Sequence, residues 1–311
     1  MMVRNEADII EASVRHNLSC LDRLAVIDHG SFDGTSEILR QLAAESDAVR
    51  IIADPSVAYE QSTRITQAVR EVIAGDGADF VFAIDADEFL KVPSREMLEK
   101  VLQNLPVEMH AMLHWQTYVA DNFAVNAAVF SPAQATLRLK TERHGLNKVV
   151  VARHFGARPR HVVAVGNHVV LNLDQPEITP RHARIAPQIA AIAHVPVRSR
   201  RQLEKRIVIG YLAHLIAHPN HPHLAYHWRE LYEEIRAGKA FDADRLRQIA
   251  CNYGLARADW QPADAIPLVS DPIVFASELR YRADADLDTL QLLMRFCELV
   301  IGNGSRGVSP L

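Results

Sequence analysis

The chain has 311 residues, 49% hydrophobic and 23% charged, which is ample material for a packed core and excludes a disordered polymer. Acidic residues number 38 against 34 basic ones, a formal charge of −4, so a nucleic-acid partner, which needs a basic excess, is disfavoured. Three widely spaced cysteines (Cys20, Cys251, Cys297) form neither a disulfide framework nor a zinc spacing.

These cysteines suit a reducing cytosol. No apolar run approaches the roughly 20 residues that span a bilayer, and Met1–Glu6 has no signal-peptide character. A cytoplasmic protein is expected, as one large α/β unit or one unit with an appendage.

Residues 5–20 set Ile9, Ile10, Val14, Leu18 and Leu21 at helical spacing, with Asn5 as N-cap and Asp8 three residues on. Leu24–Ile27 is a short apolar run ending at Asp28. A helix through Ile38, Leu39 and Leu42 follows, then a strand Val49–Ala53 ending at Asp54. A third helix carries Ile65, Ala68, Val69, Val72 and Ile73 on one face, and Phe80–Ile84 is a fourth strand ending at Asp85. Strands alternating with helices predict βαβ units and a parallel sheet. Asp28, Asp54 and Asp85 are then expected on the carboxyl edge of one sheet, where open α/β sheets bind ligands.

After Leu90 the pattern changes. Residues 94–105 read as a helix, and 110–119 and 135–152 as strands. His161–Val165 and His168–Leu173 flank Gly166-Asn167, a two-residue hairpin turn. Ser199 and Gln202 form a capping box before a helix through Leu203, Ile207, Tyr211, His214 and Leu215. Residues 225–300 read as mostly helical with breaks at 259–272, and Gly302–Leu311 as a frayed tail.

The strongest chemical signal is Phe80-Val-Phe-Ala-Ile-Asp85-Ala-Asp87-Glu88-Phe-Leu90. Two carboxylates one residue apart beyond a buried strand offer oxygens to a hard cation such as Mg²⁺ or Mn²⁺, with substrate phosphates completing its shell. An isolated Asp-x-Asp would read as ordinary turn chemistry. Here three acids within four positions follow a strand, and function is the better reading. The loop Asp28-His-Gly30-Ser-Phe-Asp33-Gly34-Thr35 opens a helix N-terminus, a place that favours a phosphate or carboxylate. It carries neither a dinucleotide-binding nor a P-loop pattern.

Together, Val3-Arg-Asn-Glu-Ala-Asp-Ile-Ile10, Asp28-x-Gly-Ser-x-Asp-Gly-Thr35 and Asp85-Ala-Asp-Glu-Phe-Leu90 resemble the glycosyltransferase family 2 group of GT-A fold enzymes. The branch most similar has an Asp-Ala-Asp-Glu-Phe metal motif. His194-Val-Pro-Val-Arg198-Ser199, followed by Lys205, resembles the segment that closes the catalytic domain in that branch. The resemblance implies a GT-A-like mixed α/β sheet with a parallel N-terminal half and an antiparallel acceptor section, flanked by helices. Residues 1–200 would be the catalytic domain and 201–311 a helical C-terminal region.

It also implies inverting transfer of a sugar from a nucleotide-sugar donor, with Mn²⁺ or Mg²⁺, to a glycan or lipid-linked acceptor of the cell-envelope polysaccharide kind. Peripheral membrane association is compatible with this. Asp28 would contact the base, Asp33 the adjoining donor loop, Asp85 the ribose or metal, and Asp87 the metal and diphosphate. Glu88 would support that cluster, and His194 would be a further metal or diphosphate contact. Arg198, Lys205 and Arg64 could hold phosphates, with a solvated helix end as the competing reading. Asp121, in the polar loop after the Trp115 strand, is the candidate base for the acceptor hydroxyl. A catalytically inactive nucleotide-sugar-binding module is the alternative function, and a haloacid-dehalogenase-type phosphatase is rejected on the motif's position.

Two further features stand apart. His214, His218, His221, His223 and His227 crowd one Pro-rich stretch, and a helix end running into a polar loop is preferred there over a metal site. His168 reads as a satisfied strand residue. Only Met1-Met2-Val3 precede the Arg-Asn-Glu motif, so the first strand is expected to be short or the natural chain to start earlier.

Overall fold

A computed structural model describes residues 1–123, 129–218, 220, 226–282 and 289–304. β1 (Met2–Val3), α1 (Ile10–Leu18), β2 (Leu24–Asp28), α2 (Thr35–Glu45) and β3 (Val49–Ala53) build a three-stranded parallel sheet, ordered β1-β2-β3. The apolar positions that set the helical periods are the buried ones: Ile10 and Val14 in α1, and Ile38, Leu39 and Leu42 in α2. Asn5 is not the N-cap of α1. Its φ is +59°, and its carboxamide oxygen accepts from Phe32 N across the loop at 2.9 Å, so the helix starts later, behind Ile9.

α3 (Gln61–Asp76) leads to β4 (Phe80–Phe82), β5 (Glu88–Lys91) and α4 (Arg95–Gln103). Ser94 caps α4, accepting from Met97 N at 3.2 Å. β4 does not join the first sheet as expected. It is three residues long and pairs antiparallel with a later strand, so Asp85 leaves a different sheet from Asp28 and Asp54. Side chains bridge the two sheets: Met2 and Ile27 pack with Ala83, Ile65 and Val69 in one buried cluster.

The second sheet is centred on the ten-residue β6 (His110–Val119). Its antiparallel neighbours are β7 (Leu137–Leu139) and β8 (Asn147–Ala152), the latter carrying β4. A separate hairpin, β9 (His161–Val163) with β10 (Val170–Asn172), follows. β11 (His182–Arg184) and β12 (Ala191–His194) then run parallel to β6, and β5 closes that edge antiparallel to β12. The hairpin turn is longer than two residues: Ala164 N bonds Val169 O at 2.9 Å, with Gly166 (φ +79°) and Asn167 (φ +60°) at its centre.

α5 (Arg200–Ala217), α6 (Tyr226–Arg236), α7 (Ala243–Cys251) and α8 (Thr289–Gly304) supply the helices of the final third of the chain. Ser199 Oγ accepts from Gln202 N at 3.1 Å, but the Gln202 side chain reaches back to Arg198 N rather than closing the box on Ser199. Between α7 and α8 lie short turns and β13 (Leu268–Ser270), which extends the second sheet by pairing with β7. Mixed α/β architecture, with parallel and antiparallel sheet flanked by helices, is therefore the observed layout. Among the described residues no helix is long and apolar enough to cross a membrane.

Candidate active site

An open cleft lies where β1 and the β4–β5 loop meet the first turns of α5. Val3–Glu6 form one wall, Asp85–Asp87 the floor, and Gln202, Lys205, Arg206 and Ile209 the opposite wall, with Trp228 of α6 at the rim. The α5 contribution follows from helical spacing, since residues 202, 205, 206 and 209 share one face.

The floor is a closed turn. Asp85 N donates to Glu88 Oε2 at 2.9 Å and Glu88 N to Asp85 O at 3.2 Å, which fixes the intervening Ala86 and Asp87. Three donors from three elements then hold the Asp85 carboxylate: Lys148 Nζ on β8 at 2.5 Å, Asn167 Nδ2 in the hairpin turn at 3.0 Å, and Gln61 Nε2 on α3 at 3.2 Å. Lys148 also donates to Gly166 O at 2.8 Å and lies 2.8 Å from Glu88 Oε1. Burial works against its ammonium, but Asp85 and Glu88 outweigh that cost and raise its pKa. Burial pushes the Glu88 carboxyl up, against the pull of Lys148.

Asp87 is buried and takes Arg206 Nη1 at 2.5 Å. The β5–β12 register sets His194 opposite Glu88, which places His194 Nε2 3.4 Å from Asp87 Oδ2. Burial opposes a charge on Asp87, yet Arg206 and His194 hold its carboxyl well below the ordinary range. Burial lowers His194 to about 4 despite Asp87, so its ring is neutral at pH 7.

The other expected residues fall into two groups. Lys205 lines the cleft and bonds Asp33 Oδ2 at 2.8 Å, so Asp33 meets the cleft through Lys205. Asp28, Arg64, Arg198, His194 and Asp121 do not line it. The Asp28 carboxylate is taken by Ser31 N at 3.1 Å and by the Ser36 hydroxyl, which ties the loop to the start of α2. Arg64 pairs with Asp54 at 3.0 Å. Arg198 turns to Glu6 at 2.6 Å and Asp8 at 2.7 Å. Asp121 accepts from Thr136 N and Oγ1, at 3.0 and 2.7 Å, on an exposed loop.

His168 is a satisfied residue, its Nδ1 donating to Asn147 O at 2.8 Å. The His214 and His218 rings lie 5.0 Å apart, tilted at 48°; His221 and His223, and the His227 side chain, lie outside the described residues.

Sequence reasoning missed Lys148, Arg206, Asn167, Gln61 and Arg4. Arg4 donates to the carbonyls of His29, Ser56 and Val57 at 2.6–3.0 Å and faces the cleft. Burial, then the Arg4 charge, keeps His29 at about 4, so its ring can accept from Arg4 at 2.9 Å. Arg4 sits in the Val3-Arg-Asn-Glu motif and Asn167 in the Gly166-Asn167 turn, and Lys148 heads the otherwise apolar run Val149–Ala152, whereas Gln61 and Arg206 carried no local signal.

The Asp87 carboxyl, held below the ordinary range, is in the ionised state a hard divalent cation requires. Asp85 supplies a second carboxylate from the same turn. Among the described residues no three acid, His or Cys groups form a cage.

No family model matches the chain. The succinoglycan biosynthesis protein ExoA of Rhizobium meliloti (strain 1021) is 41% identical over 86 residues, covering 26% of this chain and 25% of that protein. The chain thus matches about a quarter of that relative's length. Among solved structures, the mannosyltransferase PcManGT from Pyrobaculum calidifontis, in complex with GDP-Man and Mn²⁺, aligns with a TM-score of 0.39 at 16% identity. That alignment covers 77% of this chain and 74% of that one.

Proposed function

We propose that the cleft binds a nucleotide-sugar donor together with Mn²⁺ or Mg²⁺ and transfers the sugar to a glycan or lipid-linked hydroxyl. One observation carries this reading: Asp85 and Asp87 form the floor of a single open cleft whose wall presents Lys205 and Arg206. A floor of carboxylates facing a wall of cations is the donor set for a cation–diphosphate group. The Asp-Ala-Asp-Glu-Phe motif and a relative named for succinoglycan biosynthesis agree with it.

Asp85 and Asp87 would hold the cation, with His194 orienting Asp87 from behind. When bound, the cation offsets the negative charge developing on the departing nucleoside diphosphate. Lys205 and Arg206 add charge-assisted contacts to the same phosphates. Arg4 and Tyr59 shape the donor end, and Asp28 and Asp33 hold the donor loop in its conformation from behind. Inversion, which the resemblance implies, needs a base at the acceptor hydroxyl, for which Asp121 is the named candidate.

Incubation with a panel of nucleotide sugars, with and without Mn²⁺, should release nucleoside diphosphate from at least one donor. Asp87→Asn should abolish that release. Absence of both release and donor binding across the panel would overturn the reading; donor binding without release would favour the inactive module. Full transfer by Asp121→Ala would remove Asp121 from the base role.

A further inference from the structure

The two carboxylates on the cleft floor already have cationic partners supplied by the chain, and the two partners are held differently. Lys148 is only 2% exposed and is fixed by Asp85, Glu88 and the Gly166 carbonyl, all within 2.8 Å. Arg206 lines the cleft with its side chain 23% exposed. Beyond Asp87 its further ties among the described residues are a long contact to Pro196 O at 3.4 Å and the Tyr253 ring 5.7 Å away. Lys148 is therefore a buried part of the floor, whereas Arg206 is open to the cleft and can leave Asp87 once another cation takes its place there.

We propose that Arg206 is an exchangeable counter-cation of Asp87, displaced by the divalent ion and taken over by the diphosphate, so that metal and diphosphate bind as a unit. The inference rests on the donor-and-metal reading above and adds to it the coupling between the two ligands. The reason is charge balance at a buried carboxylate. A divalent ion arriving alone must displace the guanidinium from Asp87 and leave it, still charged, beside the new ion, and like charges at that range repel strongly. A diphosphate arriving alone meets an Arg206 already committed to Asp87. Arriving together, the ion satisfies Asp87 and the phosphates satisfy Arg206, so each ligand removes the penalty the other would incur. By linkage the coupling is reciprocal.

Inorganic pyrophosphate serves as the probe, because it carries the diphosphate without a base or sugar. Wild-type protein is titrated with Mn²⁺ alone and with preformed Mn²⁺–pyrophosphate, followed by electron paramagnetic resonance of free Mn²⁺ and by calorimetry. The wild type should bind the preformed complex at least about fivefold more tightly than Mn²⁺ alone, the lower end of usual coupling strengths. Arg206→Gln should bind Mn²⁺ alone more tightly than the wild type and the complex more weakly, while Arg206→Lys keeps the wild-type order. A thermal melt checks that each variant is folded.

An Arg206→Gln protein whose affinity for Mn²⁺ alone is unchanged or weaker overturns the proposal. So does a wild type that binds Mn²⁺ alone as tightly as the complex, a comparison that needs no variant. Either result alongside donor turnover sinks only the exchange, whereas a wild type that binds neither probe and turns over no donor sinks the glycosyltransferase reading with it.

Discussion

Replacing Arg198 by methionine should destabilise the whole chain far more than a surface change would. The Arg198 side chain is 1% exposed, and its guanidinium makes three short bonds, to Glu6 Oε2 at 2.6 Å and to Asp8 at 2.7 and 3.1 Å. Arg198→Met fills the space but leaves two carboxylates facing each other with their cation gone. Breaking a buried pair in this way costs about 3–5 kcal/mol, against a total stability of about 5–15 kcal/mol for a folded domain. At about 2–4 °C per kcal/mol for a chain of this size, the melting temperature should fall by about 6–20 °C. Urea unfolding followed by tryptophan fluorescence, with a thermal melt at pH 7, measures both quantities. Adding Glu6→Gln and Asp8→Asn to Arg198→Met should recover part of the loss, because amides need no counter-ion. A single variant within about 1 kcal/mol of wild type, or a triple variant no better than the single, would refute the buried-clamp argument.

Gly166→Ala should cost about 1–3 kcal/mol, since its φ is +79° and a Cβ there would meet the His168 ring at 2.5 Å. The same turn presents Asn167 to Asp85, so the donor KM should rise with the fall in melting temperature. Ser94→Ala removes the N-cap of α4, which does not line the cleft, and should lower stability by about 1 kcal/mol in urea unfolding while leaving turnover unchanged. Stability should also fall as pH drops below about 6.5. Burial, then the neighbouring His154 and His182, lowers His110 to about 3, and burial lowers His144 to about 4. Between those values and the ordinary 6.5 the unfolded chain binds more protons than the folded one. Each such histidine then contributes a slope of up to about 1.4 kcal/mol per pH unit, and stability is regained as pH rises. Chemical unfolding at pH 7.0, 6.0 and 5.0 should show this slope, and His110→Asn should flatten it; an unchanged slope in that variant would rule out His110 as a source.

The periodic elements were legible because one physical force decides them. β2 and α2 bury residues that their apolar spacing selects (Leu24, Val26 and Ile27; Ile38, Leu39 and Leu42), and there local pattern and tertiary packing agree. Where a side chain had a choice, the sequence was ambiguous. An asparagine before a helix can cap it or bridge a loop, and Asn5 bridges to Phe32. Short strands held by distant partners were illegible for another reason. The three residues of β13 carry no period long enough to see, and their pairing with β7 spans well over a hundred residues. β4 likewise chose β8 over the first sheet.

The same distinction runs through the site. The carboxylates lie in one local motif and can be read from it; their cations come from far along the chain, Lys148 63 residues after Asp85 and Arg206 119 residues after Asp87. A buried carboxylate is tolerable only when paired, so the motif at residues 85–88 does not become a stable floor until β8, the 166–167 turn and α5 have packed around it. Asp33 with Lys205, and Glu6 and Asp8 with Arg198, repeat that dependence between the first forty residues and the segment at 198–206. The cleft is thus assembled by electrostatic need between distant segments as much as by apolar packing. Lys148 on β8 holds the floor, while Arg198, which clamps Glu6 and Asp8, and the cleft-lining Lys205 and Arg206 lie in one short stretch at and just before the start of α5. Arg206, being both buried enough to pair with Asp87 and open enough to leave it, is where the demands of the fold and of a diphosphate meet.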